Sequence, residues 1–253
     1  MKIVGKYILR ILFFLILISF ILYLYIEKLT DFFFTNQALN SIILLVIAFG
    51  IIYIFRQIII LKSEIGWLNN IISLKKPSKL SVKSPNLLKY LDTFLKEQSG
   101  NFIFSQSSLK TIMESLEGRL LESREISRYL IGLTVFLGLL GTFWGLLETI
   151  SSVGVTVNSL NFSEDTQKLF KVLKQGLEEP LTGMGTAFSS SLFGLGGSLI
   201  LGFLDLQSSQ AQNRFFNEVE EKLSQHTKFT LMNMDETDKK NLGPAYIESL
   251  IEV

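Results

Sequence analysis

Apolar side chains fall along this chain in four long runs, at about residues 7–26, 38–55, 129–150 and 184–206, with charged positions returning between them. A helix rises about 1.5 Å per residue, so roughly 20 apolar residues cross the hydrocarbon core of a bilayer. Four membrane-spanning helices are therefore predicted. The first run follows Lys2, Lys6 and Arg10, as in a signal peptide, but Glu27 and Lys28 stand after Ile26 where a small-residue cleavage pattern would be. It reads as a retained span. Between the second and third runs two helical patterns flank a linker at 75–85, broken by Pro77 and Pro85. The later pattern, about 107–128, places Leu109, Ile112, Leu116, Leu120 and Leu121 at helical spacing. No breaker separates it from the third run, so one long helix is predicted to leave the membrane. The fourth run also continues, with Phe215, Phe216, Val219 and Leu223 on one face and Arg214, Glu218, Glu221 and Lys222 on the other.

The expected architecture is an all-α integral membrane protein whose last two spans extend as long helices into the cytoplasm. Residues 1–61 hold two N-terminal transmembrane helices and 62–128 a cytoplasmic helical region. Residues 129–206 hold two further spans joined by an outer loop, and 207–253 a cytoplasmic helix with a loose tail after Asn233. Basic residues set the orientation. Lys2, Lys6 and Arg10 precede the first span, Arg56, Lys62, Lys75, Lys76, Lys79 and Lys83 follow the second, and Arg119, Arg124 and Arg128 precede the third. Both termini are expected in the cytoplasm. Arg119, Glu122 and Arg124 read as a solvated helix face. In the outer loop, Ser163-Glu164-Asp165-Thr166 predicts a helix start, and Leu169, Phe170, Leu173 and Leu177 an apolar face. Pro180 is expected to close that helix, which would lie at the membrane interface.

The spans are of two kinds. The first two are rich in Ile, Leu and Phe and suit lipid, with Ser19, Ser41 and Gly50 as exceptions. The last two carry stripes of small and hydroxyl residues. Thr134, Gly138, Gly141, Thr142, Gly145 and Thr149 recur at steps of three and four on one, and Thr186, Ser190, Gly194, Ser198 and Gly202 every fourth residue on the other. Small residues so spaced let backbones approach, and packing is the reading for Gly138, Gly141, Gly145, Gly194, Ser198 and Gly202. Thr142 and Ser190 both fall about 10–12 Å below the outer boundary. Hydroxyls at a common depth either support a passing proton within an oligomer or bond their own backbone carbonyls. No carboxylate lies mid-span: Glu148 stands at the outer end of the third span and Asp205 at the inner end of the fourth. A proton-driven machine needs an ionisable group at depth, so a partner would have to supply it.

Composition narrows the chemistry. A mean hydropathy of +0.38 fits a membrane protein. A net charge of +1 provides no strong field for nucleic acid. With no cysteine and His226 as the single histidine, thiol chemistry and paired-histidine metal sites are excluded. His226, Glu148 and Asp205 are too dispersed for an acid–base site, so neither enzymatic activity nor a cofactor is expected. Gly194-Leu195-Gly196-Gly197 lies in an apolar span with no following lysine, unlike a nucleotide loop.

The stretch Gly138-Leu139-Leu140-Gly141-Thr142-Phe143-Trp144-Gly145-Leu146-Leu147 resembles the G-L-x-G-T-x-x-G signature of the MotA/TolQ/ExbB proton-channel family. Leu181 onward, through Gly183-Met184-Gly185-Thr186-Ala187-Phe188-Ser189-Ser190-Ser191-Leu192-Phe193-Gly194, is similar to that family's last span, and the resemblance covers about 107–228. It implies a homopentamer in the bacterial inner membrane around two copies of an ExbD-, TolR- or MotB-like single-span partner, whose aspartate carries the proton. Residues 129–206 would then be the proton-channel domain. Pore-lining roles carry over onto Thr142 and Ser190, with Thr186 one turn from Ser190 on the same path. Ser190 departs from the threonine of TolQ and ExbB, keeping the hydroxyl and losing a methyl. The Gly-Thr-Phe-Trp-Gly motif is closer to TolQ and ExbB, whereas four spans are similar to MotA, so a flagellar stator subunit is the alternative. A non-conducting oligomeric scaffold is the alternative of another class.

Overall fold

The computed structural model of the chain describes residues 2–73, 85–97, 104–158, 174 and 176–226. Its helices are α1 (Lys2–Leu24), α2 (Ile26–Thr35), α3 (Gln37–Ser73), α4 (Lys89–Glu97), α5 (Gln106–Asn158) and α6 (Glu178–Ser224). Four of them, α1, α3, α5 and α6, are long and apolar enough to cross a membrane. The chain is therefore a multi-pass membrane protein in outline. The helix expected over 163–173, the linker at 75–84 and the tail after Asn233 lie outside the described residues.

Two local features differ from expectation. The link between the first two spans contains the ten-residue α2, entered through a turn at Tyr25. Asn36 then caps α3, its Oδ1 accepting from the Leu39 N–H at 3.2 Å. Pro180 does not close a helix; it lies in the first turn of α6. The first N–H groups of a helix have no intrahelical partner, so a proline there removes nothing.

The chain divides into two compact units. In the unit of residues 1–62 and 121–212, the core is a glycine-packed pair. Gly138 faces Gly194, Gly141 faces Ser190, Gly145 faces Ala187 and Gly183, and Thr149 faces Gly183. As the α5 number rises the α6 number falls, so the pair is antiparallel. α3 lies along one side of it. Asn40, Ile43, Ile47, Gly50, Ile54, Gln57, Ile58 and Leu61 are buried, at steps of three and four, forming one continuous face. A span read as suited to lipid therefore has a dedicated protein-facing stripe. α1 is the most exposed of the four; Phe14 stacks on Phe203 of α6 with ring centroids 3.9 Å apart.

The second unit, 63–120 and 213–253, has its own apolar core. Leu68 and Ile71 of α3, Leu91 and Leu95 of α4, Ile112 and Leu116 of α5, and Phe215, Val219 and Leu223 of α6 are all buried. The apolar face read from Phe215, Val219 and Leu223 is thus an internal one, while Arg214 and Glu221 remain exposed. Glu64 is a buried carboxylate with a structural task. Its oxygens accept the Asn86 N–H at 2.6 Å and the Leu88 N–H at 3.1 Å, just ahead of α4. This is capping in trans: an acid from another helix satisfies donors at a helix start, where the dipole favours negative charge.

Candidate functional site

The α5–α6 pair places the hydroxyls singled out by sequence, and it does so unevenly. Ser190 is fully buried, and its Oγ donates to Asn40 Oδ1 of α3 at 3.0 Å. Thr142 is half-exposed, and its Oγ1 donates to the Leu139 carbonyl at 2.6 Å. Thr186 is buried and bonds the Thr182 carbonyl at 3.2 Å. Ser190 and Thr142 share a depth, since Gly141 meets Ser190, but they point to different sides of the pair.

Helix geometry identifies which α6 hydroxyl does share Thr142's side. Each residue turns the helix by about 100°, and in an antiparallel pair the residue after a contact emerges on the same side on both helices. Thr142 follows Gly141 and Ser191 follows Ser190, so Thr142 and Ser191 flank the Gly141–Ser190 contact together. Both are half-exposed. The residues one step before the contact take the opposite side, where Ser189 meets α3 and Leu39 reaches Gly141. One side of the pair is therefore covered by α3, and the other, bearing Thr142 and Ser191, is open within the chain. Ser198, Gly202 and Asp205 lie seven, eleven and fourteen residues after Ser191, within about 40° of its direction, and all are half-exposed. A Cβ at Gly202 would meet nothing within 4 Å, and Ser198 bonds only its own Leu195 carbonyl, at 2.8 Å. Within the chain, close backbone approach therefore involves Gly138, Gly141, Gly145 and Gly194 but not Gly202.

The covered side is held by two amides that sequence reading passed over. Asn40 Nδ2 donates to the Phe32 and Phe33 carbonyls, both at 3.2 Å, and to Ser189 Oγ at 3.1 Å. Its Oδ1 takes the Ser190 proton, and Ser189 in turn bonds the Phe32 carbonyl. Asn40 thereby fastens the end of α2 and the start of α3 to α6. Replacing it with alanine is expected to lower stability by about 1–2 kcal/mol, because buried donors and acceptors lose their partners within an apolar setting. Thermal unfolding of the detergent-solubilised variant measures this. The clue in the sequence was a single amide at the head of an Ile/Leu-rich run, where an unpaired polar group is costly.

Gln57 repeats the arrangement toward the Leu206 end of α6. Its Nε2 donates to the Ser123 carbonyl at 2.7 Å and to Ser127 Oγ at 3.1 Å. Its Oε1 accepts from Ser208 Oγ at 3.0 Å and Gln212 Nε2 at 3.3 Å. Arg124 adds a bond from Nε to Gln212 Oε1 at 2.6 Å. Arg124 is therefore engaged inside the bundle rather than on a solvated face. Asp205 stands beside Ser127, Arg128 and Arg124, and its Oδ1 is buried with no hydrogen-bond partner.

Among the described residues, no group of three His, Asp or Glu side chains stands close enough to hold a metal ion. The chemistry on offer is hydroxyls along one open helix side, with a single carboxylate at its end. No family model, curated protein or solved structure matches this chain, so the reading of its function rests on these residues and their geometry.

Proposed function

We propose that this chain is the channel-forming subunit of an ion-driven motor of the MotA/TolQ/ExbB type, seated in the bacterial inner membrane with both termini in the cytoplasm. Several copies, five by the resemblance, would enclose a single-span partner whose aspartate carries the ion. The observation that carries the reading is the open side of the α5–α6 pair. It presents Thr142 and Ser191 at one depth and continues as a polar stripe along α6, while α3 seals the other side. Half-exposed hydroxyls aligned along one side of two helices suit something polar that passes or docks there, even though Thr142 and Ser198 each also bond a carbonyl of their own helix. On this reading Ser191 replaces Ser190 as the α6 hydroxyl at the path, and Ser190 supports the path from behind.

The scaffold alternative drew on the glycine stripes as an oligomerisation surface. Gly138, Gly141, Gly145 and Gly194 make their contacts within one chain, whereas Gly202 meets nothing there and stays half-exposed, so a scaffold would have to use that part of the stripe. The test is to purify the tagged chain from its native membrane with whatever co-elutes, count the subunits, and measure ion flux in proteoliposomes. A stoichiometric single-span partner with proton- or sodium-driven flux supports the motor. A chain that purifies alone, or a complex without flux, sinks it.

A further inference from the structure

The apolar bands of this chain are staggered along the bundle. The first span, Gly5–Leu24, has its middle between Phe14 and Leu15, and Phe14 stacks on Phe203. The apolar run of α6, 184–206, has its middle at Leu195, eight residues from Phe203. The two middles therefore lie about 12 Å apart along the axis. α5 is displaced the same way, since the middle of its run, 129–150, falls within two residues of Gly141, which meets Ser190. No flat bilayer is centred on both bands.

α2 marks where the α1 side turns polar. The sixteen residues 11–26 carry no charge, and Glu27, Lys28 and Asp31 then follow, all exposed. Ten residues carry α1 from Phe14 to Leu24, level with Phe193, while Asn40 on the far side of α2 is level with Ser190. α2 therefore crosses the bundle at nearly constant depth. Its Phe32 and Phe33 rings rest on Phe188 and Phe193, each pair of centroids 6.3 Å apart, and its Phe32 and Phe33 carbonyls accept from Asn40 and Ser189. That level lies inside the apolar run of α6. Tyr23, Tyr25 and Phe34 are exposed around the three charges, the mixture found where hydrocarbon meets headgroups. Farther along, α5 still exposes Phe143, Leu147 and Ile150. Exposed charges belong in water and exposed apolar side chains in lipid, so the bilayer surface must stand closer to its centre beside α2 than beside α5. The buried amides on α3 agree: Asn40 and Gln57 are seventeen residues and about 25 Å apart, against about 30 Å for a hydrocarbon core.

The geometry points to α2 as a membrane-interface helix that binds the lipid headgroup layer and draws the bilayer surface about 10 Å toward its centre on the α1–α3 side. Asn40 and Ser189 hold the helix at that depth through its carbonyls, and the exposed aromatic and charged side chains engage the headgroups. The bilayer slants across the chain, thin beside α2 and of ordinary thickness beside α5. This assignment stands whether or not the chain conducts ions.

The chain has no cysteine, so a single introduced thiol reports on one position. Lys28→Cys on α2 and Phe143→Cys and Leu147→Cys on α5 are made in the full chain, with Thr30→Cys as a second α2 position should the first fail to fold. Each is reconstituted, with any chain that co-elutes, into phosphatidylcholine nanodiscs, whose two faces both meet solvent. Reaction with a charged maleimide measures contact with water. Quenching of an attached bimane by lipids carrying a nitroxide at the headgroup or at mid-chain measures depth. The α2 thiol is expected to react at least tenfold faster than both α5 thiols and to be quenched from the headgroup. The α5 thiols are expected to be quenched from mid-chain, although Leu147 lies about 9 Å farther along the bundle than Gly141. Slow reaction on α2 with mid-chain quenching would place that helix in hydrocarbon and overturn the assignment. A Leu147→Cys thiol as reactive as the α2 thiol would mean a flat surface at the level of α2, and α5 thiols that neither react nor are quenched would mean protein covering α5. Either result overturns the slant.

Discussion

Replacing Gly194 with alanine is expected to separate α6 from α5. A Cβ there would lie 2.5 Å from the Gly138 Cα, 2.9 Å from the Gly138 nitrogen and 2.9 Å from the Thr134 carbonyl oxygen. All three neighbours are backbone, so no rotamer change relieves the clash and the helices themselves must move apart. Overpacking in a tight interior costs about 1–3 kcal/mol, and here the upper end applies because the displaced contact recurs along the whole pair. The control is Gly202→Ala on the same helix, where a Cβ meets nothing within 4 Å. That substitution is expected to be neutral, or to stabilise by up to about 1 kcal/mol through helix propensity. Thermal unfolding of the two variants in one detergent separates them. Equal melting temperatures would mean that the close approach of Gly138 and Gly194 does not hold the pair together.

On the proposed motor reading, Thr142→Val is expected to abolish ion flux while leaving the complex assembled. Valine keeps the β-branched shape and loses only the hydroxyl, so helix packing should be unchanged. The side chain is half-exposed on the side away from α3, and its one bond in the chain is to its own helix, at Leu139. Losing that local bond costs little stability. A large functional loss would therefore report on what the hydroxyl does at the open side. Wild-type flux in the variant would remove Thr142 from the mechanism. Ser190→Ala provides the contrast: its hydroxyl is bound to Asn40, so its removal should lower stability before it alters conduction.

The spans were legible in the sequence because length and hydropathy alone decide whether a helix can cross a bilayer. The close packing of Gly138, Gly141, Gly145 and Gly194 was legible for a similar reason, since small residues at steps of three and four admit little else in a membrane helix. Handedness was the missing ingredient for the candidate site. Spacing places Thr142 and Ser190 at one depth, but which side of a pair a residue takes depends on which residues touch, and the Gly141–Ser190 contact fixes that. Asn40 and Gln57 were hidden by averaging. A single amide hardly changes the mean character of an Ile-rich run, yet its partners lie about 150 residues away in sequence, at Ser189, Ser190 and Ser208. Gly202 shows the converse within the chain, because a stripe drawn through every fourth residue drifts by about 40° per step and leaves the contact it starts on.

Gln57 acts as a hub that joins three helices. One amide group binds a backbone carbonyl and a hydroxyl of α5 on its nitrogen and two α6 side chains on its oxygen, so its bonding capacity is filled from both directions. Such a knot does not loosen strand by strand: drawing α3 away orphans groups on both other helices at once. Energies assigned to Gln57, Ser208 and Gln212 one at a time will therefore add up to more than the loss from removing them together, as in any cooperative junction. At that end of the bundle the three helices should part all together or stay joined.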